Sequence, residues 1–488
     1  MKQSGIALLV VLLFAFALRL CQISAISLRA DEASNLFFAS QDLNAIVKQL
    51  ASDDPHPPFY FFLLHFWVAL AGNSELALRF LGVFSGTLIV GLSYLLGKIL
   101  LPTQPRVALG TAALAAINPS LIWDAQDAHL YPWLVWFSVA SCVMFLLVMQ
   151  RGSFLRRTLY IFASALALYS HYIAVFVLVA QGVLVISVFR DRFLPWLAAQ
   201  FAVGVLFVPW FLLAGNLLGA YQTDFFPRAN FREILMRALA AFAVGRVDNR
   251  VMPPMVEQDR GLVAALFFLG IFLIGLWSLR SSRTPLAIAL SFLFVPLICF
   301  WLYGIWRFSI FDERYVLYLA PAFLLVTARG LIALNQLPKG SIWLGTAALI
   351  VLAVSGQSLY NYWRVPAFAK SPDWRGFAQK ILSEAQPGDV LIQNYPDPSL
   401  PYYLQNRIPR VLLPRSSGQS ANDLGADLAR LIAKYSRVWF QPAAGSTWDT
   451  EGLVAQWFSQ NARKVADYEF NGARLELYLP LTNAGVKP

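Results

Sequence analysis

Pro57-Pro58-Phe59-Tyr60-Phe61-Phe62-Leu63-Leu64-His65-Phe66-Trp67-Val68-Ala69-Leu70-Ala71 decides how this chain is laid through a membrane. The 488 residues are 58% apolar and 13% charged, with a mean hydropathy of +0.58. A soluble body of that size cannot hide so much apolar surface, so lipid is part of its solvent. Runs long enough to cross about 30 Å of hydrocarbon, at roughly 20 residues each, recur as far as residue 358. They fall at 5–27, 79–99, 107–122, 130–150, 157–170, 172–189, 193–213, 261–279, 285–305, 314–334 and 341–358.

Segment 57–71 has only fifteen residues, and charge settles its path. With Lys2 cytoplasmic and 57–71 not crossing, Lys98/Arg106, Arg151/Arg156/Arg157, Arg190/Arg192, Arg280/Arg283 and Lys339 all lie inside. If 57–71 crossed, every one of those clusters would flip outward, against the positive-inside bias. It therefore reads as an apolar helix in the outer interface. The expected fold is an α-helical multi-pass membrane body with eleven spans and its N-terminus inside. Gly5 to Leu20 follows a lone Lys2 and precedes no small-residue cleavage site, so it reads as a retained span.

The net charge of +11 is spread over short loops, with no basic run and no aromatic-interleaved patch, which argues against nucleic acid as a partner. Cys21, Cys142 and Cys299 read as buried packing thiols, with neither a disulfide framework nor a C-x-x-C metal site.

The outer face collects 28–78, a turn around 123–130, the loop 214–260, and 306–313. Segment 28–78 carries polar helical stretches at Glu32–Ser40 and Leu43–Leu50. Long segments of this kind on one face cover a site or groove. Residues 1–358 thus form the membrane domain. From 360 to 488 helix-like and strand-like stretches alternate: Asp373–Glu384, Asp389–Asn394, Ala421–Lys434, Arg437–Gln441, Glu451–Asn461, Val465–Phe470 and Ala473–Leu479. This reads as a soluble α/β domain of about 125 residues on the outer side, large enough for its own core. It has no Gly-rich phosphate loop and no nucleophile elbow, and reads as a structural or acceptor-gripping module.

Chemistry concentrates on the outer face. Asp31 and Glu32 follow the first span; either they cap the next helix, or one takes a proton from an attacking hydroxyl. Asp127 lies in the next outer turn, as a second acid or as a solvated helix cap. Carboxylates from two loops also suit a divalent cation, and no cofactor or metal is assigned. His56 stands before Pro57-Pro58, and His171 lies between two spans, each an interface anchor or a site residue. Arg314 and Tyr315 follow Asp312-Glu313. A guanidinium there suits a lipid phosphate, or pairs with Asp312, or snorkels. Trp123, Tyr131, Trp133, Trp136, Tyr303 and Trp306 read as an aromatic belt rather than sugar platforms.

In order along the chain stand Ala30-Asp31-Glu32-Ala33, His56-Pro57-Pro58-Phe59-Tyr60, Ser74-Glu75-Leu76-Ala77-Leu78-Arg79, Gln126-Asp127-Ala128-His129-Leu130-Tyr131 and Leu168-Tyr169-Ser170-His171-Tyr172. Pro209-Trp210, Glu313-Arg314-Tyr315, Pro321 and Ala328-Arg329-Gly330 follow, then Asp373-Trp374-Arg375-Gly376 and Pro387-Gly388-Asp389-Val390. The pattern resembles the GT-C glycosyltransferases of the protein O-mannosyltransferase and lipid A aminoarabinose transferase type, in their bacterial family 39-like branch. That branch usually has Gln-Glu-Ala-Arg-x-Tyr where this chain has Gln126-Asp127-Ala128-His129-Leu130-Tyr131, so His129 replaces a permanent cation.

The resemblance implies a polyprenyl-phosphate-linked sugar donor used on the outer face of a bacterial cytoplasmic membrane. It implies inverting transfer to a lipid, glycan or protein acceptor, with Asp31 as base, supported by Glu32. Asp127 follows as the site's second acid. Arg314 and Tyr315 would sit near the lipid phosphate and His56 near the leaving group, with His129, Tyr131 and His171 as further substrate-binding residues. The alternative is a flippase or transporter of the lipid-linked sugar. Carriers place ionisable groups near the bilayer midplane, yet 107–122, 130–150, 261–279, 285–305 and 341–358 contain no charged residue and no internal repeat is found. The early Asp31-Glu32 loop argues against a polysaccharide ligase or polymerase.

Overall fold

The computed structural model describes residues 2–54, 56–223, 225–247, 253–443 and 446–481. The chain divides into two compact units, Met1–Ile23 with Asn35–Phe368, and Ser24–Ser34 with Ala369–Pro488.

The first unit is helical. Among the described residues seven helices are long and apolar enough to cross a membrane: Glu75–Leu100, Tyr131–Gln150, Arg190–Ala220, Gln258–Leu279, Arg283–Trp306, Glu313–Leu334 and Gly340–Arg364. The expected span 107–122 is a broken one. Pro105–Ile117 and Pro119–Ala125 meet at 57° and make an eighth span if counted together. Helices occupy the remaining three expected positions, but Gly5–Leu20, Phe154–Ser170 and Tyr172–Ser187 are shorter, so length and apolarity support seven or eight spans rather than eleven.

The break at 118 has a local cause. Pro119 lacks the N–H that would bond the carbonyl four residues back, which is Ala115. The buried Arg19 guanidinium donates instead to the carbonyls of Ala115 and Ala116, both at 3.2 Å. Asn118 then caps the second half by accepting from Leu121 N at 3.0 Å, and donates to Phe242 O at 2.7 Å. This bend delivers Gln126–Tyr131 to the place where the site forms. Gln126 fixes the loop by donating to the carbonyls of Arg19 and Cys21 at 2.8 and 2.7 Å.

Leu43–Ser52 is capped by Asp42, which accepts from Ala45 N at 2.9 Å. The helix over 57–71 runs from Phe59 to Ala71, about 20 Å at the α-helical rise. Ile46, Leu50, Phe61, Trp210 and Ala214 form one core cluster around these two helices. Gly275 and Gly330 let two spans touch: a Cβ on either would sit 2.0 Å from a carbonyl oxygen of the facing helix. Small residues of this kind permit close helix approach in lipid. Cys21, just past the first helix, is exposed, which overturns the expectation of a buried thiol there, while Cys142 and Cys299 are half-buried. Trp123, Tyr131 and Trp133 are buried rather than belted around the surface, whereas Trp306 is 76% exposed.

The second unit holds a five-stranded sheet: β1 (Asp389–Gln393), β2 (Arg410–Leu412), β3 (Arg437–Gln441), β4 (Ala462–Phe470) and β5 (Ala473–Pro480). Their order is β2-β1-β3-β5-β4, with β1 parallel to β2 and β3, and β5 antiparallel to β3 and β4. Side chains alternate between two cores. Val390, Ile392, Val438 and Phe440 face Leu428 and Phe458, while Leu391 and Trp439 face Phe377 and Ile381. Strands buried on both faces read as continuous apolar runs, which is why β1 and β3 were visible in sequence. The short Ser399–Leu404 helix and three-residue β2 were not.

Candidate active site

His171 interrupts two short helices with extended backbone, φ −163° and ψ 140°. Its Nδ1 accepts from Ile173 N at 3.3 Å, which leaves Nε2 as the protonated nitrogen of the neutral ring. The ring lies 5.6 Å from His56 and 5.0 Å from Tyr315, centroid to centroid. His129 stacks on Tyr131 at 4.3 Å and stands 6.2 Å from His56. Tyr131 is 5.3 Å from Tyr315, and the Arg314 guanidinium sits 4.8 Å from the Tyr131 ring. His56, His129, Tyr131, His171, Arg314 and Tyr315 therefore form one continuous cluster. Burial and the neighbouring His56, His129 and Arg314 hold the His171 imidazole well below its ordinary range. Among the described residues no group of three or more His, Cys, Asp or Glu side chains is placed to hold a metal ion.

Two residues before His56 stands Asp54. Its carboxylate meets His56 Nδ1 at 2.5 Å and accepts from His56 N at 3.0 Å. Burial pushes the Asp54 carboxyl up, but the His56 imidazole and backbone N–H, with His129, more than reverse it and leave it below the usual range.

Behind Arg314 lies a buried ionic cradle. Asp312 accepts from Arg246 at 3.1 Å, from Arg314 Nε at 3.0 Å and from Arg314 N at 2.9 Å. Glu313 pairs with Arg237 at 2.7 Å and with Arg246 at 3.0 Å. Burial opposes ionisation of Asp312, yet Arg246 and Arg314 hold it far below the usual carboxylate range. Three guanidiniums thus face two carboxylates, each side chain at most 6% exposed. These five groups sum to one net positive charge.

A cavity of about 490 Å³ opens beside this cluster. His56, His171, Tyr172 and Tyr315 line one part of it; the remaining wall is mainly apolar, with Leu168, Phe176, Phe207, Phe211, Leu218 and Phe308 among others, and also carries Tyr221, Thr223 and Tyr303. It thus joins two imidazoles to a mainly apolar wall.

The acids are placed differently. Asp127 is fully buried, which removes the solvated-turn alternative. Its neighbour Ala128 accepts from Asn35 Nδ2 at 2.9 Å. Asp31 and Glu32 belong to the second unit, at the start of the helix Ala30–Ala39. Asp31 is in the first turn rather than at the cap, about half exposed, and pairs with Arg29 at 3.0 Å. Glu32 is the capping residue: its carboxylate, 0% exposed, accepts from Arg29 N at 2.9 Å, the return half of a capping box. Sequence reasoning missed Asp54, Arg237 and Arg246; the acidic pair Asp53-Asp54 just before His56 was the available signal for the first.

A family model described as dolichyl-phosphate-mannose-protein mannosyltransferase matches residues 55–212. No curated protein sequence gives a significant match. Among solved structures, the chain is similar to ArnT from Cupriavidus metallidurans bound to undecaprenyl phosphate, with a TM-score of 0.61 at 15% identity over 98% of this chain and 99% of that one. It is also similar to the oligosaccharyltransferase AglB from Archaeoglobus fulgidus in complex with an inhibitory peptide and a dolichol-phosphate, with a TM-score of 0.56 at 13% identity over 99% of this chain and 75% of that one. Fold and family match agree with the motif order, and the chain is a multi-pass membrane protein of the GT-C glycosyltransferase fold.

Proposed function

We propose that this protein transfers a sugar from a polyprenyl-phosphate carrier to an acceptor hydroxyl or amine, at the outer face of a bacterial cytoplasmic membrane and with inversion. The observation that carries this reading is the cavity whose apolar body leads to His56, His171 and Tyr315, with Arg314 and its cradle alongside. That arrangement matches a greasy tail joined to a phosphate, the chemistry of the lipids held by the two similar solved structures. The outward orientation rests on the basic clusters between spans.

In the reaction the acceptor oxygen or nitrogen forms a bond to the anomeric carbon as the bond from that carbon to the phosphate oxygen breaks. The electron pair leaves on the phosphate, where positive charge lowers the barrier. Arg314 supplies that charge, with His56 near the leaving group and Tyr131, His129 and His171 as further substrate-binding residues. The acceptor proton goes to a carboxylate, assigned to Asp31, the half-exposed acid whose neighbour Glu32 is committed to holding the helix start. Asp127 is the second acid.

The test is transfer from radiolabelled polyprenyl-phosphate sugars in membranes carrying the wild type or Asp31→Asn at equal expression. Label should reach a new acceptor with the wild type and not with Asp31→Asn. Transfer that survives the substitution would move the base to Asp127; labelled lipid crossing the bilayer without transfer would refute the transferase reading.

A further inference from the structure

We propose that the C-terminal unit is a clamp for the segment that carries Asp31, with Tyr403 and Arg375 as its positioning residues. The proposal rests on the assignment of Asp31 as base. Residues 24–34 pack with 369–488, more than 330 positions away in sequence. Between the first helix and Ala30 the chain has no regular structure, so its backbone groups must find partners elsewhere. Cys21 O and Ile23 O are held by Gln126 and Arg79, and groups of Ser24, Ser27 and Leu28 find theirs in the C-terminal unit. Leu28 N donates to Tyr403 Oη at 2.7 Å, and Leu28 O accepts from Ser371 Oγ at 3.0 Å. Ser27 Oγ accepts from Arg375 N at 3.1 Å, and Ser24 O accepts from the Arg375 guanidinium at 2.8 Å.

Leu28 itself is fully buried, so both of its peptide groups are satisfied away from water three residues before Asp31. Tyr403 comes from the Ser399–Leu404 helix, at whose start Asp397 accepts from Ser399 N at 2.8 Å. Burial raises the Asp397 carboxyl, and the charge of Asp31 adds to that, which puts the two acids within electrostatic reach. A domain with no chemical motif of its own thus acquires a task. It fixes where the base stands.

The experiment uses the full-length protein in nanodiscs, with Tyr403→Phe, Arg375→Ala and Arg375→Lys. Hydrogen exchange is read on peptides from 24–34, with strand β1 as internal reference. Loss of one clamp hydrogen bond should speed exchange in 24–34 about tenfold while β1 is unchanged. Turnover, kcat, should fall by a similar factor, about tenfold, with KM for the donor unchanged, and Arg375→Lys should recover part of both. Unchanged exchange in Tyr403→Phe and Arg375→Ala overturns the clamp. Faster exchange with unchanged kcat overturns the positioning role. Absence of transfer by the wild type would instead count against the transferase assignment, and the exchange result would still judge the clamp.

Discussion

Gly82→Ala offers a test of the site that touches none of its chemistry. Gly82 lies on Glu75–Leu100, against the loop that carries Asp127 and His129. A Cβ there would stand 2.5 Å from Ala125 O and 3.1 Å from Asp127 O, where ordinary contact begins near 3.4 Å. The loop backbone must therefore retreat by about 1 Å, and Gln126, bonded to the carbonyls of Arg19 and Cys21, resists it. Overpacking of this kind costs about 1–3 kcal/mol. A displacement of about 1 Å at a reacting geometry costs about a hundredfold in rate. Gly91→Ala on the same helix is the control, since its Cβ would meet only Leu12 Cδ2 at 3.9 Å. Transfer by purified protein in nanodiscs, alongside thermal unfolding, should show Gly82→Ala folded but about a hundredfold slower and Gly91→Ala unchanged. Equal activity in the two variants would refute the placement of Asp127 and His129 at the working centre.

Arg314→Lys keeps the charge but loses the Nε bond to Asp312 and the planar contact with Tyr131. It should lower kcat/KM about a hundredfold, and a variant within threefold of wild type would remove Arg314 from the phosphate site. His171→Gln addresses acid stability. The folded imidazole is held well below its ordinary range, so the unfolded chain binds a proton that the folded one refuses once the pH drops below about 6.5. That stability is present above pH 6.5 and is lost as the pH falls, at up to about 1.4 kcal/mol per unit. The wild type should therefore lose Tm faster than His171→Gln between pH 6.5 and 5; parallel curves would contradict the buried neutral ring.

What the sequence made legible follows from one constraint. Residues at the same-side ends of spans must meet at one membrane face, so His56, His129, His171 and Arg314 could be grouped from their positions alone. Their packing against Tyr131 and Tyr315 is the physical consequence. The ionic cradle was hidden because its partners obey no period. Arg246 reaches Asp312 across 66 residues and Arg237 reaches Glu313 across 76, and nothing local distinguishes them from other loop arginines. The break at 118 was visible as Asn118-Pro119 but read through, because the apolar run continues to Ile122; its stabilisation by Arg19 is a long-range event. Capping was one of the two readings of Asp31 and Glu32, but which acid does it was not legible, because Arg29, not Ser or Thr, occupies the cap position and the side-chain half of the usual pattern is absent. The same reasoning explains the early segment. Residues 24–30 lack any periodic pattern, and a stretch that cannot satisfy its own peptide groups must be ordered by something distant. Such a stretch beside the acid proposed as base is better read as a demand for a partner domain than as a loop, and here the unit that includes the residues after 368 supplies the bonds.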